Sequence, residues 1–398
     1  MNDLTIGIMG CLVNCSNLGC VALSYSLLRN LEEIAQKENV KFEYVVFDEK
    51  PSRPEIDWMA NKIGIDGNRI SLGTCGALQS YNLKGFVRSH TKMLVPNLKM
   101  LSAIKHCDVV IDMTGGDSFS DIYGKERFYK FTAAKKAVEK LGVPLILGPQ
   151  TYGPFADDKV KQYAKDVIEK AYAVMARDEE SSEYLHEFCN KEIVTVTDLA
   201  FALPFEKPKN KTGSKIKIGI NPSGLLGTAK IEQTKLKNTL KANYDEFLRN
   251  LVKKLSSEDR YEIHFISHVG NEAIECFSGY DGIIYHPVFS DPIEAKTFIA
   301  TMDIFIGSRM HATIGAFSAG VATIPVAYSK KFKGLFGGIG YNNLVDLQTL
   351  KTEEAVARTL EYVHDYKRLE EENVEAQKVI KERYSRLMST FTTSLSKI

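Results

Sequence analysis

The chain has 398 residues, 44% of them hydrophobic and 25% charged, with a formal net charge of +1. That length exceeds what one hydrophobic core usually organises, so two domains are expected. Near-neutral charge argues against a general nucleic-acid or membrane-surface partner, since both need a basic excess, though a local basic pocket remains compatible with it.

The N-terminal stretch MNDLTIGIMG has no basic leader and no apolar core long enough for a signal peptide, so a cytoplasmic protein is expected. No run of about 18 apolar residues is present to span a membrane. The seven cysteines are scattered and odd in number, which suits reduced thiols better than a disulfide framework. Cys11, Cys15 and Cys20 cluster, but their spacing matches no zinc pattern and no histidine lies nearby, so no metal is expected there.

In chain order, buried strands are predicted at 4–9, 42–47, 107–113, 143–147, 171–176 and 193–196 from short β-branched apolar runs. Helical periodicity separates them, for instance over 21–35, 127–140 and 160–169. Such alternation predicts βαβ units and a parallel sheet. The stretch FEKPKNKTGSK (205–215), rich in Lys, Pro and Gly, reads as a linker. A second set of strands follows at 215–220, 261–266, 282–286, 302–307 and 321–327, and a long charged helix closes the chain over about 352–387. The pattern predicts an α/β protein of two Rossmann-like domains, 1–205 and 206–398, facing a cleft at the C-terminal ends of their strands. The final helix is free to pack back on the first domain.

Six motifs stand at predicted strand ends. The loop after the first strand carries Gly10, Asn14, Asn17 and Gly19 before a helix, whose exposed N–H groups could receive an anion. It fits neither the dinucleotide nor the P-loop fingerprint, and a plain βα turn explains it equally well. Next, DMTGGDSFSD places Gly115, Gly116 and Asp117 after a strand, where paired glycines permit close backbone approach to a ligand. Asp112, Asp117 and Asp121 fit no calcium loop, so hydrogen bonding to substrate hydroxyls is favoured over metal. The plainer alternatives are an Asx turn at Asp117 and a helix N-cap at Asp121. LGPQTYGPF offers Gln150 and Tyr152 to a cleft, although its prolines and glycines also describe a simple turn.

ARDEES places Arg177 at a strand end, with Asp178 able to cap the next helix, so a structural role competes with ligand binding. His268 ends a strand of the second set. FIGSRMHATIGAFSAG sets Arg309 and His311 between a buried strand and a helix, as an anion clamp and proton carrier or, more plainly, as a solvated arginine and a capping histidine. YSKKFKG then adds Lys330, Lys331 and Lys333, a local positive patch or a solvated turn.

In this order and spacing the pieces NSNLGCVAL, TGGDSFSD, GPQTYGPF, ARDEES, SRMHA and PVAYSKKFKGL resemble the polysaccharide pyruvyl transferase family. The chain departs from the family pattern at Cys20, where Asp commonly follows Gly, and at Asp117, where a third Gly is common. The resemblance implies a GT-B-like fold and transfer of the enolpyruvyl unit of phosphoenolpyruvate onto two hydroxyls of a sugar, leaving a pyruvate ketal and phosphate. It implies no cofactor and no metal. His311 and Arg309 would be catalytic, and Arg177, a lysine of 330–333 (Lys330 or Lys333), Asn17, Gly115, Gly116, Asp117, Gln150 and His268 would bind substrates. The acceptor would be a sugar, free or lipid-linked, and a lipid-linked one would bring the protein to the inner membrane face, at most peripherally. A GT-B glycosyltransferase using a nucleotide sugar and a non-catalytic glycan-binding protein are the competing readings.

Overall fold

A computed structural model of the chain describes residues 1–48, 51–73, 91–116, 118–122, 124–208, 213–227, 231 and 239–398, with the backbone alone for 91–97 and 330. Asp117 and the Lys330 side chain therefore lie outside the described residues. Two compact units emerge. The first comprises Met1–Cys15, Leu23–Leu199 and Glu382–Ile398, and the second Ser16–Ala22 and Ala200–Lys381. Residues after Leu199 are tied to a helix of the second unit. Glu206 N–H donates to Thr297 Oγ1 at 3.1 Å, and Lys296 Nζ donates to the carbonyls of Leu203 and Phe201 at 2.7 and 3.4 Å.

Unit 1 is built on seven strands: β1 (Leu4–Met9), β2 (Phe42–Phe47), β3 (Ile70–Gly73), β4 (Val109–Asp112), β5 (Leu145–Gln150), β6 (Ala173–Ala176) and β7 (Val194–Thr195). They pair in parallel in the order β3-β2-β1-β4-β5-β6-β7. The order in which strands are added therefore reverses between β1 and β4, where Ile6 pairs with Val109 and Ile8 with Ile111. Strands buried on both faces favour apolar runs, and β4 and β5 open on them as Val109–Ile111 and Leu145–Leu147. An aromatic cluster of Phe119, Phe128, Tyr152 and Phe155 fills one side. Each ring so buried contributes about 1.5–3 kcal/mol.

Unit 2 has six strands: β8 (Ile216–Asn221), β9 (Tyr261–Phe265), β10 (Ile283–Tyr285), β11 (Ile304–Gly307), β12 (Ala322–Ala327) and β13 (Val345–Asp346). The parallel order is β10-β9-β8-β11-β12-β13, so the order of strand addition reverses here between β8 and β11. In open α/β sheets the crevice at such a reversal is where ligands bind.

The predicted strands recur, two of them (4–9 and 42–47) with the expected limits, while the short edge strands β3 and β13 are additions. The single closing helix is in fact two, Thr352–His364 and Tyr366–Leu395. Asp365 leaves helical geometry at φ −107° and ψ 31°, and its carboxylate accepts from Arg368 Nε at 2.8 Å. Among the described residues, no helix is long and apolar enough to cross a membrane.

Lys296, in the helix Pro292–Ile299, is buried with no carboxylate beside it among its hydrogen bonds; its ammonium meets two carbonyls and lies 4.9 Å from the Phe205 ring. Burial pulls it down from 10.5 to about 7. Below about pH 7 the folded and unfolded states both carry the charge, and the cost of burying it is full. Between that value and 10.5 only the unfolded chain holds the proton, so stability rises with pH across the window and levels off above it. Urea unfolding of Lys296→Met at a series of pH values should show that rise reduced by about 5 kcal/mol. An unchanged slope would show that Lys296 is not its source.

Candidate active site

The reversal of the second sheet gathers three chain ends. β8 ends on Asn221 and is followed by Pro222, Ser223 and Gly224; after β9 come His268 to Glu272; after β11 come Ser308, Arg309 and His311. Asn221 bridges the seam. Its Nδ2 donates to the Ile266 carbonyl at 2.8 Å, and its Oδ1 accepts the Arg309 N–H at 3.1 Å. Tyr244 braces the floor by donating to Ser308 Oγ at 2.8 Å and accepting the Ser223 N–H at 2.9 Å.

Arg309 occupies the N-cap position of the helix Met310–Ser318 but does not cap with its side chain. Its Nε donates to Glu272 Oε1 at 3.1 Å, and its Nη2 donates to Glu272 Oε2. The two side chains are 14% and 5% exposed, so the pair is largely buried, with the arginine the more accessible of the two. Burial works against the guanidinium charge, but the hydrogen bonds and charge of Glu272 outweigh it and hold Arg309 more firmly protonated than usual. Glu272 Oε2 also accepts the Gly224 N–H at 2.8 Å. Sequence reading missed Glu272, whose only local signal was an acidic residue opening a short helix after a strand.

His311 stands in the first turn of the helix that follows Arg309. The segment Ser16–Ala22 reaches it from the other end of the sequence. Asn17 pairs with Val269 in an antiparallel bridge, Leu18 N–H donates to the His268 carbonyl at 3.1 Å, and Gly270 N–H donates to the Ser16 carbonyl at 2.7 Å. Asn17 Oδ1 accepts the Gly19 N–H at 3.1 Å, capping the helix Leu18–Glu38. Gly19 lies so close to the imidazole that a Cβ there would stand 2.4 Å from His311 Nδ1. Asn17 and Gly19, expected on the rim of the first sheet, thus pack with His268 and His311. His268 is buried, and desolvation, with the charges of His311 and Arg309, pulls it down to about 3. At neutral pH it is an uncharged ring, able to donate or accept a hydrogen bond but not to supply a positive charge.

Unit 1 has its own construction at the β1/β4 seam. Thr114, Gly115 and Gly116 all take positive φ, at 42°, 61° and 81°. Gly10 is the residue they cross: its carbonyl accepts the Gly115 N–H at 2.8 Å, and a Cβ on Gly10 would lie 2.3 Å from the Thr114 nitrogen. Thr114 tolerates its strained backbone because its hydroxyl is bound by Asp112 Oδ2. Asp112 also pairs with Lys135 Nζ at 2.9 Å, both side chains being 2% exposed. It is therefore a structural carboxylate, neither a metal ligand nor a contact for substrate hydroxyls. Asp121 accepts backbone N–H groups of Ala156 and Asp157 rather than capping a helix. Among the described residues no cluster of three or more His, Cys, Asp or Glu could hold a metal.

Arg177 differs most from expectation. It is in the interior, with Nη1 donating to Asp198 Oδ2 at 2.8 Å and Nε to Thr151 Oγ1 at 2.8 Å. The ion pair is 3% and 0% exposed. Thr151 in turn donates its N–H to the Gly116 carbonyl at 2.8 Å, and a Cβ on Gly116 would be 3.1 Å from the guanidinium. These bonds make Arg177 a brace beneath the Thr114–Gly116 turn. Asp178 caps the helix Glu179–His186 by accepting the Ser181 N–H at 2.7 Å, one of the structural roles the sequence allowed. Gln150 turns inward, its Nε2 donating to the carbonyls of Asp112 and Gly148, both at 3.3 Å, and Tyr152 is buried against Phe119. Lys333 is exposed and lies 3.2 Å from Asp346 Oδ2.

The chain's fold is similar to those of several solved structures. A Listeria monocytogenes protein assigned as a UDP-N-acetylglucosamine 2-epimerase aligns over 100% of this chain and 98% of its own, with TM-score 0.62 at 13% identity. The UDP-GlcNAc 2-epimerase of Neisseria meningitidis, solved with UDP-GlcNAc, aligns over 100% of both chains with TM-score 0.60 at 10% identity. MurG of Acinetobacter baumannii aligns over 100% of both chains with TM-score 0.50 at 13% identity. These likenesses establish the fold, which is of the GT-B type. No curated protein sequence matches the chain. The family model described as polysaccharide pyruvyl transferase matches residues 17–330, a span that opens on Asn17 and takes in Arg309 and His311. The chain belongs to the polysaccharide pyruvyl transferase family.

Proposed function

We propose that the protein transfers the enolpyruvyl unit of phosphoenolpyruvate to two hydroxyls of a sugar, forming a pyruvate ketal and releasing phosphate. The observation that carries this reading is the pairing, at the β8/β11 seam, of an arginine fixed at backbone and side chain with a histidine on the first turn of the next helix. Phosphoenolpyruvate carries a carboxylate and a phosphate, and a planar guanidinium is matched to either. The positive N-terminal end of the helix Met310–Ser318 favours an anion at the same place. His311 would deliver a proton to the methylene carbon, making the neighbouring carbon electrophilic. One sugar hydroxyl adds there, the carbon–oxygen bond to phosphate breaks, and the second hydroxyl closes the ketal. Of the two hydroxyl protons, one replaces that given by His311 and the other leaves with phosphate.

Asn17 and His268 would line this donor site, with His268 as a neutral hydrogen-bonding ring. Gly115, Gly116 and Asp117 would belong to the acceptor side, and Lys330 or Lys333 would add a point charge toward phosphate. The acceptor is a sugar unit of a polysaccharide or of its lipid-linked precursor, and the reaction belongs to the cytoplasm or the inner membrane face.

Incubation with phosphoenolpyruvate and a panel of free and lipid-linked sugars should release phosphate and add a pyruvate ketal detectable by mass spectrometry. Release of a nucleoside diphosphate from a nucleotide sugar instead would favour the glycosyltransferase reading, which the epimerase and MurG likenesses recommend. No turnover with either donor would leave a glycan-binding protein.

Gly19→Ala gives a further check. Glycine here has no special φ, so the helix accepts alanine, but the new methyl would meet the root of the His311 side chain, 2.8 Å from its Cβ and Cγ. Turnover should fall about a hundredfold, the cost of misplacing a catalytic group by about an ångström. The melting temperature should fall by several degrees at most, since overpacking of this kind costs about 1–3 kcal/mol. Wild-type turnover in Gly19→Ala would remove His311 from the chemistry.

A further inference from the structure

We infer that Glu272 is the positioning residue of the donor site, holding one edge of the Arg309 guanidinium so that its other edge is presented to the donor's anion. The inference rests on the reading of Arg309 given above. A guanidinium has five N–H donors in one plane, arranged as two forks: one formed by Nε and one terminal nitrogen, the other by the two terminal nitrogens. Glu272 takes the first, with Oε1 on Nε and Oε2 on Nη2. The second fork lies in the same plane, on the far side from Glu272, and has the geometry a carboxylate or phosphate requires.

Glu272 is itself held. It is among the buried residues, opens the helix Glu272–Phe277, and its Oε2 receives the Gly224 N–H. Arg309 is held at its other end by the bond from its N–H to Asn221. Both ends of a long side chain are therefore fixed before any ligand arrives, which removes the rotational entropy an arginine otherwise loses on binding. Glu272 also offsets the charge of Arg309. The pair thus orients an anion sharply while attracting it less strongly than a lone arginine would.

Glu272→Gln keeps the side-chain length but removes that charge, and puts an amide N–H₂ where one carboxylate oxygen accepted. The guanidinium then gains attraction for an anion and loses its fixed plane. The expected result is a KM for phosphoenolpyruvate equal to or below that of the native protein, with kcat reduced about a hundredfold. Glu272→Asp, which keeps the charge, should recover part of kcat. Nitrogen-15 NMR of the arginine side chains gives a second readout that needs no turnover. The slowly rotating Arg309 guanidinium, assigned by its loss in Arg309→Lys, should become rotationally averaged in Glu272→Gln. A Glu272→Gln protein with a native Arg309 signal, or with raised KM and unchanged kcat, would overturn the inference. Phosphate release by the native protein tests the reaction itself, so failure of that reading and failure of this one are told apart.

Discussion

Replacing His311 by alanine is expected to abolish most turnover while leaving phosphoenolpyruvate binding nearly intact, whereas Arg309→Ala should weaken both. The imidazole acts on the proton and makes its main contribution in the transition state, so its loss appears in kcat. The guanidinium grips the donor before and during reaction, so its loss appears in KM as well. Removing one preorganised charge or donor from such a site costs about 3–4 kcal/mol in the transition state, or a few hundredfold in rate. Arg309→Ala carries an added penalty, because it strands the buried carboxylate of Glu272 with the Gly224 N–H as its remaining hydrogen bond here. Some loss of thermal stability is expected from that variant and little from His311→Ala. Steady-state kinetics and thermal melting on the same preparations separate the two effects. Turnover within about threefold of wild type in both, with normal melting, would remove these residues from catalysis.

Asp198→Asn should be strongly destabilising. It removes the charge of the carboxylate to which Arg177 Nη1 donates at 2.8 Å, in a pair only 3% and 0% exposed. Breaking a buried ion pair from one side costs about 3–5 kcal/mol, because the surviving charge stays desolvated. For a unit of this size the melting temperature should fall by on the order of 10 °C. Removing both charges, as in Arg177→Met with Asp198→Leu, should recover most of the loss, since a well-packed apolar pair replaces an ion pair at little cost. If Arg177 were a donor-binding fork, the double variant would be stable but unable to bind phosphoenolpyruvate. Normal affinity for the donor in that variant is the outcome expected of a brace.

The architecture was legible because buried parallel strands need continuous β-branched runs, and LTIGIM or FEYVVF admit few other readings. The edge strands β3 and β13 escaped notice because four and two residues carry no periodicity. The position of Arg309 and His311 between a buried strand and a helix was legible, since the apolar run before them and the helical pattern after them are local. Arg177 stands in the same local setting, and nothing in ARDEES distinguishes it. The difference lies in Asp198, which meets it only when the chain folds. Likewise Asn17 follows β1 in sequence, yet its partner is Val269, far along the chain. Glu272 needed the same tertiary knowledge. Local pattern reports which residues end a strand, and the sheet order decides what they meet there.

The buried amine of Lys296 also makes unfolding a proton-uptake reaction. At about pH 8 the folded protein holds this group largely neutral while the unfolded chain protonates it, so each molecule that unfolds takes nearly one proton from the buffer. The heat measured in a calorimeter then includes the buffer's own heat of ionisation. Scans in tris, whose deprotonation absorbs much heat, should give a larger apparent unfolding enthalpy than scans in phosphate at the same pH, and Lys296→Met should narrow that gap.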